Sequence, residues 1–219
     1  MGVVFLGRTY FIRKVEEKEI TPAFAWENIE KAEIDCYPWD INGYRPKTEA
    51  RVVYSEKGFH VFLISYEKEI LATRVNMNDP VCRDSCMEFF FSPDPDNDGR
   101  YFNFELNPIG TLLLGICKNR FDSKAVDVSP EIFRIKTSVT KEKLKSFSGP
   151  SWNVQFFIPF EFIESFYGKL EFGPGMKMKG NFYNCGDETR FPHFGCWNPI
   201  STEKPDFHRP EFFGDLVLE

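Results

Sequence analysis

Apolar and polar positions alternate most regularly between Met87 and Asn107. Met87, Phe89 and Phe91 are separated by Glu88 and Phe90. Past a loop, Phe102, Phe104 and Leu106 interleave with Tyr101, Asn103, Glu105 and Asn107. A period of two sends successive side chains to opposite faces of a strand. The residues between, Ser92 to Arg100, include Pro, Asp, Asn and Gly, which form turns. The stretch predicts a hairpin with one apolar face and one face carrying Glu88, Asn103, Glu105 and Asn107.

The rest of the chain reads as further short strands. Arg8 to Lys14 suits an edge strand. Trp26 to Ile29 and Tyr37 to Ile41 bracket a short segment that turns at Asn42-Gly43. Arg51 to Tyr54 and Phe59 to Tyr66 form a second hairpin, turning at Glu56-Lys57-Gly58. Strands are also expected at Leu71 to Val75, Thr111 to Cys117, Ile132 to Val139, Met176 to Cys185 and Asp215 to Leu218. Trp152 to Ile158 is a strong strand with Trp152, Val154, Phe156 and Ile158 on one face. Pro159 then opens a short helix over Phe160 to Tyr167. Roughly ten short strands separated by turn signals indicate an all-β fold. The expected architecture is one domain over residues 1–219, an antiparallel β-sandwich of immunoglobulin or jelly-roll type with one short helix.

Composition narrows the partners. The 219 residues include 25 Phe, 8 Tyr and 4 Trp, enough aromatic volume for a large core. A net charge of −6 without a basic cluster argues against nucleic acid. No apolar run approaches the roughly 20 residues of a membrane span, so no membrane partner is expected. The N-terminal stretch lacks the long apolar run and small-residue cleavage site of a secretory signal, which points to the cytoplasm. Six cysteines, at 36, 82, 86, 117, 185 and 196, are then expected to be reduced and partly buried. Neither Cys82-x3-Cys86 nor Cys185-x10-Cys196 has the tight spacing of a structural zinc site.

The polar face of the central hairpin has the chemistry that sugars need. Carboxylates and amides accept and donate to hydroxyls, and nearby aromatic rings suit the C–H faces. Glu88 and Glu105 also read as a carboxylate pair of the kind that hydrolyses glycosides. Asp94, Asp96 and Asp98, with Gly99 and Glu105, match the letter spacing of a helix–loop–helix calcium loop, but strands rather than helices flank them. No cofactor is therefore expected, a structural calcium at Asp94, Asp96 and Asp98 being only a weak match. Trp197, among Pro199, Pro205 and Pro210, reads as a stacking platform in a loop, with His208 and Arg209 at its rim. His60, within an apolar strand, reads as structural.

Several stretches together resemble the family 9-like carbohydrate-binding modules of the kind attached to xylanases. They are Asp79-Pro-Val-Cys-Arg-Asp-Ser-Cys-Met-Glu-Phe-Phe90, Tyr101-Phe-Asn-Phe-Glu-Leu-Asn-Pro-Ile-Gly110, Trp197-Asn-Pro-Ile200 and Phe207-His-Arg-Pro-Glu-Phe-Phe-Gly214. The resemblance runs from about Trp39 to the C-terminus. It implies a β-sandwich that binds a mono- or oligosaccharide and does no chemistry. In sugar-binding members two tryptophans clamp the terminal sugar and a glutamate accepts from its hydroxyls. Glu88 matches that glutamate and Trp197 the C-terminal tryptophan. Cys82 stands where the other tryptophan falls, and Glu105 where those members carry a basic residue. The implied ligand-binding set is Cys82, Glu88, Asn103, Glu105, Asn107, Trp197, His208 and Arg209. Three rivals remain: a glycoside hydrolase using Glu88 and Glu105, a haem-binding sandwich with an axial ligand among His193, His208 or the methionines, and a sandwich that has exchanged sugar binding for a protein partner.

Overall fold

A computed structural model describes residues 7–219; the apolar residues 3–6, on which the signal-peptide reading partly rests, lie outside the described residues. The strands in chain order are β1 (Thr9–Lys14), β2 (Ala32–Glu33), β3 (Thr48–Tyr54), β4 (Gly58–Ser65), β5 (Cys86–Ser92), β6 (Tyr101–Leu106) and β7 (Leu112–Cys117). They continue with β8 (Lys124–Ala125), β9 (Lys136–Thr137), β10 (Trp152–Pro159), β11 (Lys177–Cys185), β12 (Phe194–Cys196) and β13 (Gly214–Leu218). The one α-helix among the described residues, α1, spans Phe160–Tyr167.

The strands form one long curled path, β8-β7-β6-β5-β11-β13-β1-β3-β4-β10-β9, with β12 on β11 and β2 on β3. β1 stitches the two halves. Its first residues, Thr9 to Ile12, pair with β13, and its last two, Arg13 and Lys14, pair with β3. Both pairings are parallel, so the sheet is mixed and the expected purely antiparallel arrangement does not hold. Side-chain alternation reports which face a residue takes and carries no record of strand direction. All the other strand pairs are antiparallel.

The curl brings the inner faces of the halves together. Phe59 of β4 meets Phe91 of β5 edge-on at 6.0 Å, and Phe104 of β6 stacks on Phe156 of β10 at 5.7 Å. Met87, Phe89 and Phe91, with Phe102, Phe104 and Leu106, all enter this core, as alternation predicts. One predicted strand is absent and another is cut short. Residues 71–75 are irregular, because buried Asp84 takes the Thr73 and Arg74 backbone N–H groups that a strand partner would otherwise bond. Within Ile132 to Val139 only Lys136–Thr137 is a strand. A 3-10 turn over Pro130–Phe133 delivers Phe133 to the core, and Arg134 then adopts a left-handed φ of 48° that breaks any extended run. α1 begins after Pro159, buries Phe162 and Ile163, and ends at Gly168 with φ 77°.

The outer face of the central strands is covered too. Residues 198–213 fold back across it. Phe207 stacks on Tyr183 at 4.1 Å, Phe213 meets Tyr101 edge-on at 5.2 Å, and the Trp39 indole N–H donates to the Thr202 carbonyl at 2.8 Å. This makes a second apolar cluster around Cys86, Phe90, Tyr101 and Tyr183.

Candidate functional site: a carboxylate-floored cavity

Antiparallel register sets the floor. β5 pairs with β6 so that Glu88 stands directly opposite Glu105 and Phe90 opposite Asn103. β5 pairs with β11 on its other side, placing Cys185 opposite Cys86 and Tyr183 opposite Glu88. Side chains directly opposite on one face sit roughly 4.5–5.5 Å apart at Cβ, so the two carboxyls are neighbours. A cavity of about 400 Å³ lies over them. Its walls include Phe90, Phe194 and Phe207, and Cys82, Asp187, Arg120 and His208 also line it. The volume falls within the ~300–1,000 Å³ range of small-molecule sites.

The C-terminal segment forms the roof. Asp206 receives a hydrogen bond from Arg120 Nε at 2.9 Å, tying the segment to the end of β7. His208 packs on Phe90 with ring centres 5.0 Å apart, and its Nδ1 lies 3.0 Å from Tyr101 Oη. Burial, with a lesser push from Arg120, lowers the His208 pKa to about 4, so the ring is neutral at physiological pH.

The floor is electrostatically unusual. Glu88 is 2% exposed and Glu105 5%, and neither forms a salt bridge among the described residues. Burial raises the Glu88 carboxyl well above the ordinary range, and repulsion from Glu105 adds to it. Burial likewise lifts Glu105, to about 7, against the opposing pull of a hydrogen bond from Asn103 Nδ2 at 2.9 Å. Two buried carboxyls side by side cannot both ionise without a compensating charge, so the pair keeps a proton through neutral pH. Asp187 at the wall is raised for the same reason, by burial. The site is thus rich in hydrogen-bond acceptors whose proton content a ligand can change.

A sequence model described as carbohydrate-binding family 9 matches residues 19–218. The chain belongs to carbohydrate-binding family 9. Family 9 modules bind carbohydrate and are non-catalytic. No curated protein matches the chain. Among solved structures, a Bacteroides uniformis protein proposed to bind carbohydrate shares 29% sequence identity with a TM-score of 0.81, over 97% of this chain and 100% of that one. A family 9 module from Caldicellulosiruptor kristjanssonii is similar in fold. Its glucose complex gives a TM-score of 0.63 at 11% identity, over 97% of this chain and 96% of that one. Its cellotriose complex gives 0.61 at 12% identity, over 97% and 94%.

Set in the family 9 fold, the residues expected from sequence divide into two groups. Cys82, Glu88, Asn103, Glu105 and His208 all line the cavity. Trp197, Asn107 and Arg209 do not. Trp197 is 4% exposed and lies in the inner core, edge-on to Phe182 at 5.7 Å and to Tyr10 at 6.3 Å. Its ring fills the space over Gly214, where an added Cβ would come within 2.5 Å of the indole. Trp197 is therefore a core residue and cannot stack on a sugar. Its position after β12 sends it to the inner face while Cys196 faces the outer cluster. Asn107 is buried and structural: its Nδ2 donates to the Arg74 carbonyl and to Asp84, and its Oδ1 accepts from the Thr111 N–H. Arg209 points to solvent, where it pairs with Glu211.

In the loop after β5, Asp98 is clasped by the Arg100 guanidinium through Nε and Nη2, and Asn97 donates to Asp94. Glu105 faces the cavity, so the five positions of the calcium spacing do not converge, and no three of the described acids there gather as a ligand group. Of the axial-ligand candidates, His193 packs against Glu67 at 3.9 Å, and neither it nor any methionine lines the cavity. Sequence reading missed Arg120, Cys185, Asp187, Phe194 and Phe207. Alternation along Met176 to Cys185 could have placed Cys185 on the face of Tyr183. The other four come from loops or strand ends, where no periodicity operates.

Proposed function

We propose that the cavity beneath the C-terminal segment binds one sugar residue, free or at the end of an oligosaccharide, without catalysis. The observation that carries this reading is the Glu88–Glu105 pair, an acceptor-rich floor enclosed by the rings of Phe90, Phe194 and Phe207. Sugar hydroxyls donate to the carboxyl oxygens, and apolar C–H faces lie on the rings. Membership of family 9 supports it, as do the sugars held by the Caldicellulosiruptor module. The tryptophan clamp implied by the sequence resemblance is not part of the proposal, because Cys82 replaces one wall and Trp197 is in the core. Hydrolysis is disfavoured by the same geometry. Catalytic carboxyls flank a scissile bond from two sides, whereas Glu88 and Glu105 rise from adjacent strands of one floor.

Without tryptophan walls, affinity is expected near the millimolar range, about −4 kcal/mol. Calorimetry against a panel of mono- and oligosaccharides should show saturable heat for at least one. Glu105→Gln should weaken that binding by about 1–2 kcal/mol, through loss of a charge-assisted hydrogen bond. Absence of heat across the panel at high concentration refutes sugar binding; an unchanged Kd in Glu105→Gln moves the site off this floor.

A further inference from the structure

Beneath the cavity Glu88, which the sugar reading uses, meets two cysteines that neither that reading nor the family assigns. Cys86 and Glu88 are two apart on β5 and so share its outer face. Register places Cys185 of β11 directly across from Cys86. One donor atom from each of the three lies within 4.8 Å of both others, and the Cys185 thiol donates to Glu88 Oε1 at 3.1 Å. All three side chains are buried. They are the one such three-residue group among the described residues.

We propose that Cys86, Glu88 and Cys185 bind one thiophilic divalent cation, zinc by preference. Two thiolates and a carboxylate suit zinc. Calcium and magnesium, which take oxygen ligands, are poor matches. In a tetrahedral zinc site, with Zn–S at ~2.3 Å and Zn–O at ~2.0–2.2 Å, neighbouring donors sit about 3.3–3.8 Å apart. In the present cluster Cys185 Sγ lies 3.1 Å from Glu88 Oε1 and no donor pair is more than 4.8 Å apart, so side-chain rotation has to draw the wider pairs in. Binding releases the two thiol protons to solvent as the metal–sulfur bonds form, and the proton held by the carboxyl pair leaves Glu88 for Glu105 or solvent, so that Glu88 ligates as a carboxylate. Glu88 contributes the oxygen that now receives the Cys185 thiol and keeps its second oxygen. The fourth position faces the cavity that Glu88 and Cys185 line, where a water can reach it. Linear spacing could not show this site, because its two cysteines belong to strands far apart in sequence and Cys82 and Cys196, their neighbours along the chain, are not in the group.

The test needs no sugar, so its failure leaves the carbohydrate reading intact. The whole chain, stripped with a chelator, is titrated with cadmium and with cobalt, then loaded with zinc. One equivalent should bind, with the ultraviolet charge-transfer absorption of cadmium–thiolate bonds. Cys86→Ser and Cys185→Ser should each lower zinc affinity by at least about tenfold, given that even outer-shell changes typically cost that much. Cys36→Ser and Cys117→Ser should leave it unchanged. X-ray absorption at the zinc edge of the wild type gives a readout that does not depend on any variant folding. It should show two sulfur and two lighter ligands. A shell without sulfur, no thiolate band with cadmium, or zinc binding that survives Cys86→Ser or is lost in Cys36→Ser instead would overturn the proposal.

Discussion

Trp197 and Glu49 show how far residue type alone constrains a role. A tryptophan among prolines suggests an exposed ring, yet the Trp197 indole sits over Gly214 inside the core. Trp197→Ala should therefore act on stability, costing about 3–5 kcal/mol in denaturant unfolding through the cavity it leaves. A loss under 1 kcal/mol there would mean the ring is not packed as described. Glu49 is nearly fully buried on β3 but receives Arg51 at 2.8 Å, Lys47 at 2.9 Å and Lys31 at 3.1 Å. Burial alone would raise its carboxyl; Lys47, Arg51 and Lys31 outweigh it and hold the pKa at about 2. A folded pKa below the unfolded one contributes stability above the unfolded pKa that is lost as pH falls through the folded value. Glu49→Gln should thus cost about 2 kcal/mol at pH 7, a figure reduced for solvent screening of the two half-exposed lysines. The gap should close between roughly pH 4.5 and pH 2. Parallel pH–stability curves for wild type and variant would contradict this assignment.

Elements are joined by buried polar groups as well as by apolar faces. Glu67, just past β4, is fully buried and accepts from four donors: Ser65 Oγ at 3.0 Å, Ser85 Oγ at 2.7 Å, Trp152 Nε1 at 3.2 Å and Asn184 Nδ2 at 3.2 Å. Those donors belong to β4, the entry to β5, β10 and β11, so one side chain ties both halves of the sheet. Glu67→Ala would leave the Ser65, Ser85 and Trp152 donors buried and unpaired, while Asn184 Nδ2 keeps its bond to the Cys86 carbonyl. The expected loss is about 3 kcal/mol or more, at about 1–3 kcal/mol for each unsatisfied group with partial relaxation. Urea unfolding of the variant measures it, and a change below 0.5 kcal/mol would show the network to be dispensable. The hairpin of β5 and β6 is the element that alternation described best, because both its faces are buried and any slip by one residue would reverse them.

At the scale of the whole molecule, the parallel pairing of β1 with both β13 and β3 binds the two ends of the chain to its middle. The halves share one core and should unfold together. Tryptophan fluorescence and far-ultraviolet dichroism should follow the same denaturant midpoint, with one m-value suited to a single unit of this size. Two separated midpoints would show that the halves fold independently. The cavity belongs to this scale as well, since its floor comes from β5, β6 and β11 and its roof from residues 205–208, more than a hundred positions away from Tyr101 on which His208 rests.

Most of the β-strands, the single helix, the inward set of Phe89, Phe91, Phe102 and Phe104, and the polar set of Glu88, Asn103 and Glu105 were all legible in the sequence. Period two and turn chemistry are local, and local signals survive in a linear string. The motifs around Glu88 and Trp197 were enough to indicate family 9. Tertiary structure decided what depends on contacts between distant residues. The parallel pairings of β1 follow from where the chain ends meet. The burial of Trp197 follows from the approach of Gly214, and the structural role of Asn107 from the loop that ends at Asp84. The meeting of Cys86 with Cys185 follows from the register of β5 against β11. Each of these is a distance between residues that the sequence holds far apart, and a linear pattern encodes no such distance until the chain has folded.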